Sequence, residues 1–378
     1  MSVFKEFTMV TTALQDPLRT HMSVEQSKRP APRLRPLGIV MEPDPRDPRE
    51  VEGVLNPAVA RGTDGELYLL PRLVAAGNYS RIGLARVLFN RRGEPWGVER
   101  LGVVLEPDQP YERHGRTGGG VEDPRVTYLA ARQEYVMTYT AYGPLGPRIA
   151  LAVSHDLRSW RRLGLARFAV TSDLDLNALD NKDAVLFSEP VPDPDGTPSL
   201  ALIHRPSFPD AQRLAGRAWH RPGMWISFAP WREAGDLSLS FDHHHFLAGP
   251  RTGWERLKVG AGAPPLRVGN DWLLIYHGVT GQIVAGVDQQ KHVRYSAGAL
   301  LLSGEDPRHV LYRTSESILE PTAATARVGI VPNVVFPTGV DLHANGELDV
   351  YYGLADTRIG VARASLADLR WPDLALAA

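Results

Sequence analysis

From about residue 54 the chain alternates short apolar runs with polar punctuation. The runs "ELYLLPRLV", "YVMTYTAY", "RIALAVS", "SLALIHRP", "GMWISFAP", "WLLIYHGV", "GALLLS" and "DVYYGLA" are rich in aliphatic and aromatic residues. Gly, Pro, Asp and Asn separate them, which is the signature of strands joined by turns. Long stretches with the 3.6-residue spacing of an amphipathic helix are nearly absent. The pattern therefore predicts an all-β chain.

A weaker, longer period lies over the strands. An aromatic-aliphatic strand ends in a polar motif, and a strand of small residues follows. "LYLLPRL" precedes "RIGLARV", "YVMTYTAY" precedes "RIALAVSHDLRSW", "WLLIYHGV" precedes "RYSAGALLL", and "VYYGLADT" precedes "RIGVARASL". The unit around "LALIHRP" and "MWISFAP" is the most divergent. The units recur at roughly 65 to 80 residues, a spacing that suits four-stranded blades with large loops. Five fit the chain, so the expected architecture is a five-bladed β-propeller over 36–378, with a pair of β-sandwiches as the alternative. Residues 1–35 are polar and end in "SKRPAPRLRP", which reads as a flexible N-terminal arm. Met9 and Met22 leave the start codon open. "MEPDPRDPRE" is a proline-punctuated loop.

Composition narrows the function. The chain has 378 residues, 43% hydrophobic, and a formal net charge of −1. That balance argues against a nucleic-acid partner, which calls for a basic excess, so an anion site has to be a local cluster of bases. With no cysteine, disulfides, thiolate metal sites and cysteine nucleophiles are excluded. No apolar run reaches the ~20 residues that span a bilayer, and the start lacks the apolar core of a secretory signal. The expected setting is cytoplasmic, with no membrane partner.

The informative residues are charged groups set in apolar strands, because a buried charge is costly unless paired. Arg72, Arg205, Lys258, His277 and Asp356 are of this kind. Each taken alone reads as a structural ion pair. Together they are mostly cations at equivalent places in the repeat. In a propeller such residues converge on the axis, where they would form a site for a small polar or anionic ligand. Glu122 and Asp123 in "GGGVEDPR" belong with them. The glycines allow a sharp turn and a close backbone approach, and Pro124 fixes its own φ. Arg125 has the geometry to hold a carboxylate in bidentate fashion. One acid would then be held rigidly beside a paired neighbour. Cleaving a glycosidic bond needs a proton for the leaving oxygen and a nucleophile on the opposite face. If cations hold a phosphate as the nucleophile, one catalytic carboxyl suffices.

Here the chain resembles a known family. "NPAVARGTDGELYLLPRL", "NYSRIGLARV", "GGGVEDPR", "DNKDAVLF", "HRP", "LKVGAGAPP", "LLIYHGV", "YSAGALLL", "VPNVVFPTG" and "YYGLADTRIGVA" occur in order between about residues 50 and 365. They are similar to glycoside hydrolase family 130, the inverting β-mannoside phosphorylases and β-mannosidases built on a five-bladed propeller. The resemblance implies Asp123 as the general acid, acting through the sugar's 3-hydroxyl, with Glu122 and Arg125 in support. It implies Asn56 and Asp356 as ligands of the mannosyl ring, bordered by Arg72, Asn78, Tyr79 and Ser80. It implies a phosphate cluster of Lys182, Arg205, Lys258, His277 and Tyr295. Inorganic phosphate would be the co-substrate, with no cofactor and no metal, and the family often forms homo-oligomers.

Two departures keep other readings open. Lys182 stands where many of the phosphorylases have arginine, which weakens bidentate phosphate binding there. The mannosidases instead carry glutamates that activate water. No glutamate occupies the matched positions here, and Glu255 in "WERLK" is the candidate base for a hydrolase. A sugar-binding propeller without catalysis is the third reading. Among the remaining motifs, His243, His244 and His245 cannot all face one way on a strand and read as a loop or strand edge. Asp156 with Trp160 reads as a turn and a core residue. Trp225 and Tyr139 read as core. Glu305 and Asp306, in a second "EDPR" at 305–308, read as a turn.

Overall fold

The computed structural model describes residues 33–113, 118–208, 223–251, 253–282, 284 and 292–369. The chain is all-β, with only short 3-10 turns among the described residues. Among the described residues the strands lie in four sheets, the largest of which joins two antiparallel groups through a short parallel pairing, so that five antiparallel groups, called units below, can be traced. Unit 1 is β2 (Gly53–Arg61), β3 (Leu67–Ala75), β4 (Tyr79–Phe89) and β5 (Pro95–Leu105). Unit 2 is β6 (Gly119–Leu129), β7 (Glu134–Gly143), β8 (Gly146–Ser154) and β9 (Arg161–Leu165). After the two-residue β10 (Arg167–Phe168), unit 3 is β11 (Asp180–Leu186), β13 (Pro198–Ser207), β14 (Met224–Pro230) and β15 (Ser240–Ala248), with β12 (Val191–Pro192) beside β13. Unit 4 is β16 (Lys258–Ala261), β18 (Asp271–Gly281), β19 (Val293–Leu302) and β20 (Val310–Arg313), with β17 (Leu266–Val268) beside β18. Unit 5 is β21 (Val335–Leu342), β22 (Glu347–Leu354), β23 (Arg358–Ser365) and β1 (Arg35–Met41).

β1 corrects the expected arm. Leu34 is buried in a core, and β1 pairs with β23 from Arg35 onward. Strands thus begin well before residue 54, and the first one completes the last unit. Its sequence, "RPLGIVM", is apolar, but Pro36 and Gly38 interrupt the run, so it does not announce a strand by itself. The rest of the expected arm, 1–32, lies outside the described residues.

The hydrophobic pattern explains how the units stack. The middle strands, such as β18 and β13, are buried along almost their whole length. Apolar residues on both faces mean that both faces are covered. The outer strands β5 and β9 are largely half-exposed or exposed. Five hydrophobic cores fill the gaps. One lies between units 1 and 2, one between 2 and 3, one between 3 and 4 and one between 4 and 5. The fifth joins unit 5 to unit 1 through Val40, Tyr351, Ile359, Val54 and Leu69, so the series closes on itself.

Candidate active site

The first strands of units 1, 2 and 3 carry the same device. Each ladder shifts register at one point: Leu55/Ala58 in β2, Glu122/Arg125 in β6, and Lys182/Val185 in β11. At each shift a polar residue takes a left-handed backbone: Asn56 at φ 46°, Asp123 at 47° and Asp183 at 56°. Asn and Asp tolerate that region best among non-glycine residues. A bulge re-aims the side chain that carries it. Ala355 and Asp356, at φ 51° and 49°, form the corresponding tight turn between β22 and β23.

The bulges bring one group of residues together around Arg72 on β3. Arg72 donates to Glu122 Oε1 at 2.8 Å, Asp123 Oδ1 at 3.3 Å, Ser80 Oγ at 2.9 Å and Asn78 Oδ1 at 3.2 Å. Asn56 Nδ2 donates to the same Asp123 oxygen at 2.8 Å. The glycine run earns its place sterically. Gly120 sits at φ +117°, and a Cβ there would strike the Ser80 carbonyl oxygen, where β6 lies parallel to β4. Gly353 is needed in the same way, because a Cβ would collide with Asn56 Oδ1. Tyr79 stands at the margin, half-buried under the Arg81 guanidinium at 5.4 Å.

Arg125 departs from expectation. It does not grip a carboxylate. Buried at 1% exposure, it donates to the main-chain carbonyls of Asp123 (3.0 Å), Pro124 (3.1 Å) and Gly262, and lies over the Phe336 ring. It locks the backbone of the bulge, and Arg72 takes the carboxylates instead.

A second group is cationic. Lys182 and Arg205 face each other across β11 and β13. Lys258 Nζ lies 5.4 Å from the Tyr295 ring centre. The His277 ring stacks on Tyr295 at 6.0 Å and packs on Phe336 at 4.4 Å. Asp183 is at the centre, a residue that sequence reasoning missed. It accepts from Arg205 Nε at 2.5 Å, and His277 Nε2 lies 3.6 Å away. The signal was available: "LNPAV", "EDPRV" and "KDAVL" occupy matching places in the repeat.

Electrostatics divides the two groups. Burial pushes the Glu122 carboxyl up, more than Arg72 pulls it down. Burial also pushes Asp123 up, but Arg72, Arg125 and the Asn56 hydrogen bond outweigh it and hold Asp123 below its usual range. Asp356 is pushed up to about 6 by burial, with Arg72 opposing and Asp123 and Glu122 adding to the rise. The Arg72 guanidinium thus lowers all three carboxyls, while burial favours the protonated form of Glu122 and Asp356. Among the cations, Lys258 is pushed down to about 8 by burial and by Arg205. His277 is pushed down to about 3, chiefly by burial, and is neutral. Tyr295 is pushed up to about 12 by burial and by Asp356. Asp356 therefore sits close enough to act on both groups.

Glu255, the candidate base of the hydrolase reading, is held in a buried ion pair. Its carboxylate, 2% exposed, accepts from Tyr276 Oη at 2.7 Å and Arg313 NH2 at 2.7 Å. Tyr276 and His277 are consecutive on β18, so their side chains leave opposite faces. The expected hydrolytic base is a structural ion pair. The histidine run is structural as well: His244 Nδ1 meets Ser227 Oγ, which meets His204 Nε2, each at 2.9 Å. His244 Nε2 donates to the Ala169 carbonyl. Trp225 and Tyr139 are buried, and Tyr139 donates to Glu112 at 2.6 Å.

Comparison with known proteins identifies the family. Residues 19–370 match the profile of glycoside hydrolase family 130, described as beta-1,4-mannooligosaccharide phosphorylase. A 1,2-beta-oligomannan phosphorylase from Thermoanaerobacter sp. (strain X514) is 34% identical over 257 residues, 67% of this chain and 70% of its own. A beta-1,4-mannooligosaccharide phosphorylase from Ruminococcus albus is 28% identical over 284 residues, 74% of this chain and 73% of its own. Among solved structures, the beta-1,2-mannobiose phosphorylase of Listeria innocua, in complex with beta-1,2-mannobiose, superposes with a TM-score of 0.66 at 25% identity. It covers 88% of this chain and 96% of that one. The chain belongs to glycoside hydrolase family 130.

Proposed function

We propose that this protein is an inverting β-mannoside phosphorylase on a five-bladed β-propeller. The closed series of five units and five cores supports the propeller over a pair of sandwiches. In this arrangement the first strand of each unit lines a central channel, and residues from all five units meet there. The reaction transfers the mannosyl group to inorganic phosphate. A phosphate oxygen attacks the anomeric carbon, the bond to the leaving sugar oxygen breaks, and that oxygen receives a proton. Single displacement inverts the centre and yields α-mannose 1-phosphate.

The observation that carries this reading is the group of three cations, Lys182, Arg205 and Lys258, with the neutral rings of His277 and Tyr295 among them, set beside the carboxyl group. Phosphate sits among the cations. Asn56 and Asp356, with Arg72, Asn78 and Ser80, hold the mannosyl ring, and Tyr79 closes its edge. Asp123 delivers the proton, through the sugar's 3-hydroxyl as the family resemblance implies. The electrostatics gives it a supply: an arriving phosphate anion raises the affinity of nearby carboxyls for protons. A proton taken up on Asp356 can then pass to Asp123. Two of the three relatives above are named for β-1,2-linked mannosides, which supports that linkage as the first to test. The described residues hold no helix long and apolar enough to cross a membrane, and a chain without cysteine needs no oxidising compartment, which supports a cytoplasmic setting.

Purified protein incubated with β-1,2- and β-1,4-mannobiose, with and without phosphate, tests the reading. The expected product is α-mannose 1-phosphate, seen by phosphorus NMR only when phosphate is present. Equal turnover to free mannose without phosphate would establish a hydrolase instead.

A further inference from the structure

We propose that Asp183 is a positioning residue of the phosphate site, orienting Arg205 and His277 from behind, and that Gly260 lacks a side chain so that it can. The proposal rests on the phosphorylase reading above.

The Asp183 side chain is 2% exposed. Its own charge would repel phosphate, so its role lies in placing cations. Asp183 holds Arg205 through Nε. Among the described residues, that nitrogen is the only one of the guanidinium with a hydrogen-bond partner. A guanidinium held at Nε keeps its two terminal nitrogens for another partner, and such a fork binds a phosphate in bidentate fashion. The oxygen that holds Arg205 also lies 3.6 Å from His277 Nε2. That is too long for a hydrogen bond, yet near enough for the negative charge to favour the tautomer with its hydrogen on Nε2.

Gly260 makes this convergence sterically feasible. A Cβ there would strike Asp183 Oδ2 and would lie 2.5 Å from Cε1 and 2.8 Å from Nε2 of His277. The "K-V-G" of β16 therefore places Lys258 in the cluster and, two residues on, clears the space in which Asp183 meets its partners. Asp183 also offsets the crowding of positive charge. Burial and Arg205 drive Lys258 down to about 8, and Asp183 opposes them.

Asp183→Asn keeps the shape and removes the charge. Its phosphate KM should rise about tenfold or more, with the mannoside KM within about twofold of wild type. The alkaline limb of kcat/KM for phosphate should move to lower pH, because Lys258 loses a neighbour that keeps it protonated. A merely structural role would lower the melting temperature without moving that limb or separating the two KM values. Gly260→Ala keeps the charge and displaces the carboxylate, and it should also raise the phosphate KM. It decides the matter if Asp183→Asn does not fold. Wild-type phosphate KM in the folded variants, or a lower one, overturns the proposal. Wild-type enzyme assayed without phosphate in parallel tests the phosphorylase reading separately.

Discussion

The tetrapeptide Glu-Asp-Pro-Arg occurs twice, at 122–125 and at 305–308, and the two copies fold into opposite arrangements. In the second, between β19 and β20, Arg308 turns back on Asp306 with hydrogen bonds of 2.8 Å to both carboxylate oxygens. Glu305 is exposed. The Arg308–Asp306 pair closes within three residues and stays local to the turn. In the first copy the strand carries the sequence through a bulge. Arg125 passes over Asp123's carboxylate and reaches the carbonyl of Gly262, more than a hundred residues on. Asp123 is left to Arg72 and Asn56. Glycine alone does not separate the copies, since a Cβ on Gly304 would also clash, with the Asn270 carbonyl oxygen. The difference is strand against turn: a turn lets near neighbours pair, and a strand packed on both faces sends each side chain to a distant partner.

The largest effect expected from breaking this contrast is on catalysis. Asp123→Asn should lower kcat/KM for phosphorolysis by about a thousandfold or more, in line with loss of a general acid, while Asp306→Asn should change it less than about twofold. Equal losses at the two sites would end the distinction.

A smaller difference is expected in stability. Arg125→Ala strips three carbonyls of a buried donor and should cost about 3 kcal/mol in urea unfolding. Arg308→Ala breaks a partly exposed local pair and should cost under about 1 kcal/mol.

The smallest effect is one of pH, and the copies should differ in sign. Glu122 is raised in the folded state, mainly by burial, so its contribution to stability is present below the glutamate's unfolded pKa, about 4.3, and is lost as pH rises. Burial pushes Asp306 up, but Arg308's hydrogen bonds hold it below its usual range. Its contribution is present above the unfolded pKa of about 3.9 and is lost as pH falls. Between pH 4 and 7, then, the melting temperature of Glu122→Gln should gain on wild type, while that of Asp306→Asn should stay a constant interval below it, an interval that closes only as the pH falls below about 4. Parallel curves for the two variants would show that the copies share one electrostatic environment.

Much of this was readable from the chain. The β-rich pattern, the five-fold recurrence and the polar residues set in apolar strands led to Asp123, Arg72, Arg205, Lys258 and His277, and the structure gathers these into two adjoining groups. Asp183 was readable too, by its place in the repeat, but it drew no notice because its strand lacks the proline that marks Asn56 and Asp123. β1 was hidden because its closure onto β23 is a pairing between the two ends of the chain. Glu255 lay close in sequence to Lys258, and proximity along the chain said nothing about which face it occupies.

By itself the sequence determined the all-β character, most of the segments that become strands, and which charged residues are set within them, because these depend on local spacing and on the cost of burying apolar surface. Only the tertiary structure decided which charge meets which. Arg72 rather than Arg125 holds the carboxylates, Asp183 holds Arg205, and Glu255 is spent on Arg313. Partner choice turns on distances of a few ångströms between residues far apart in the chain. Those distances are set by bulges, by glycines and by the packing of whole units.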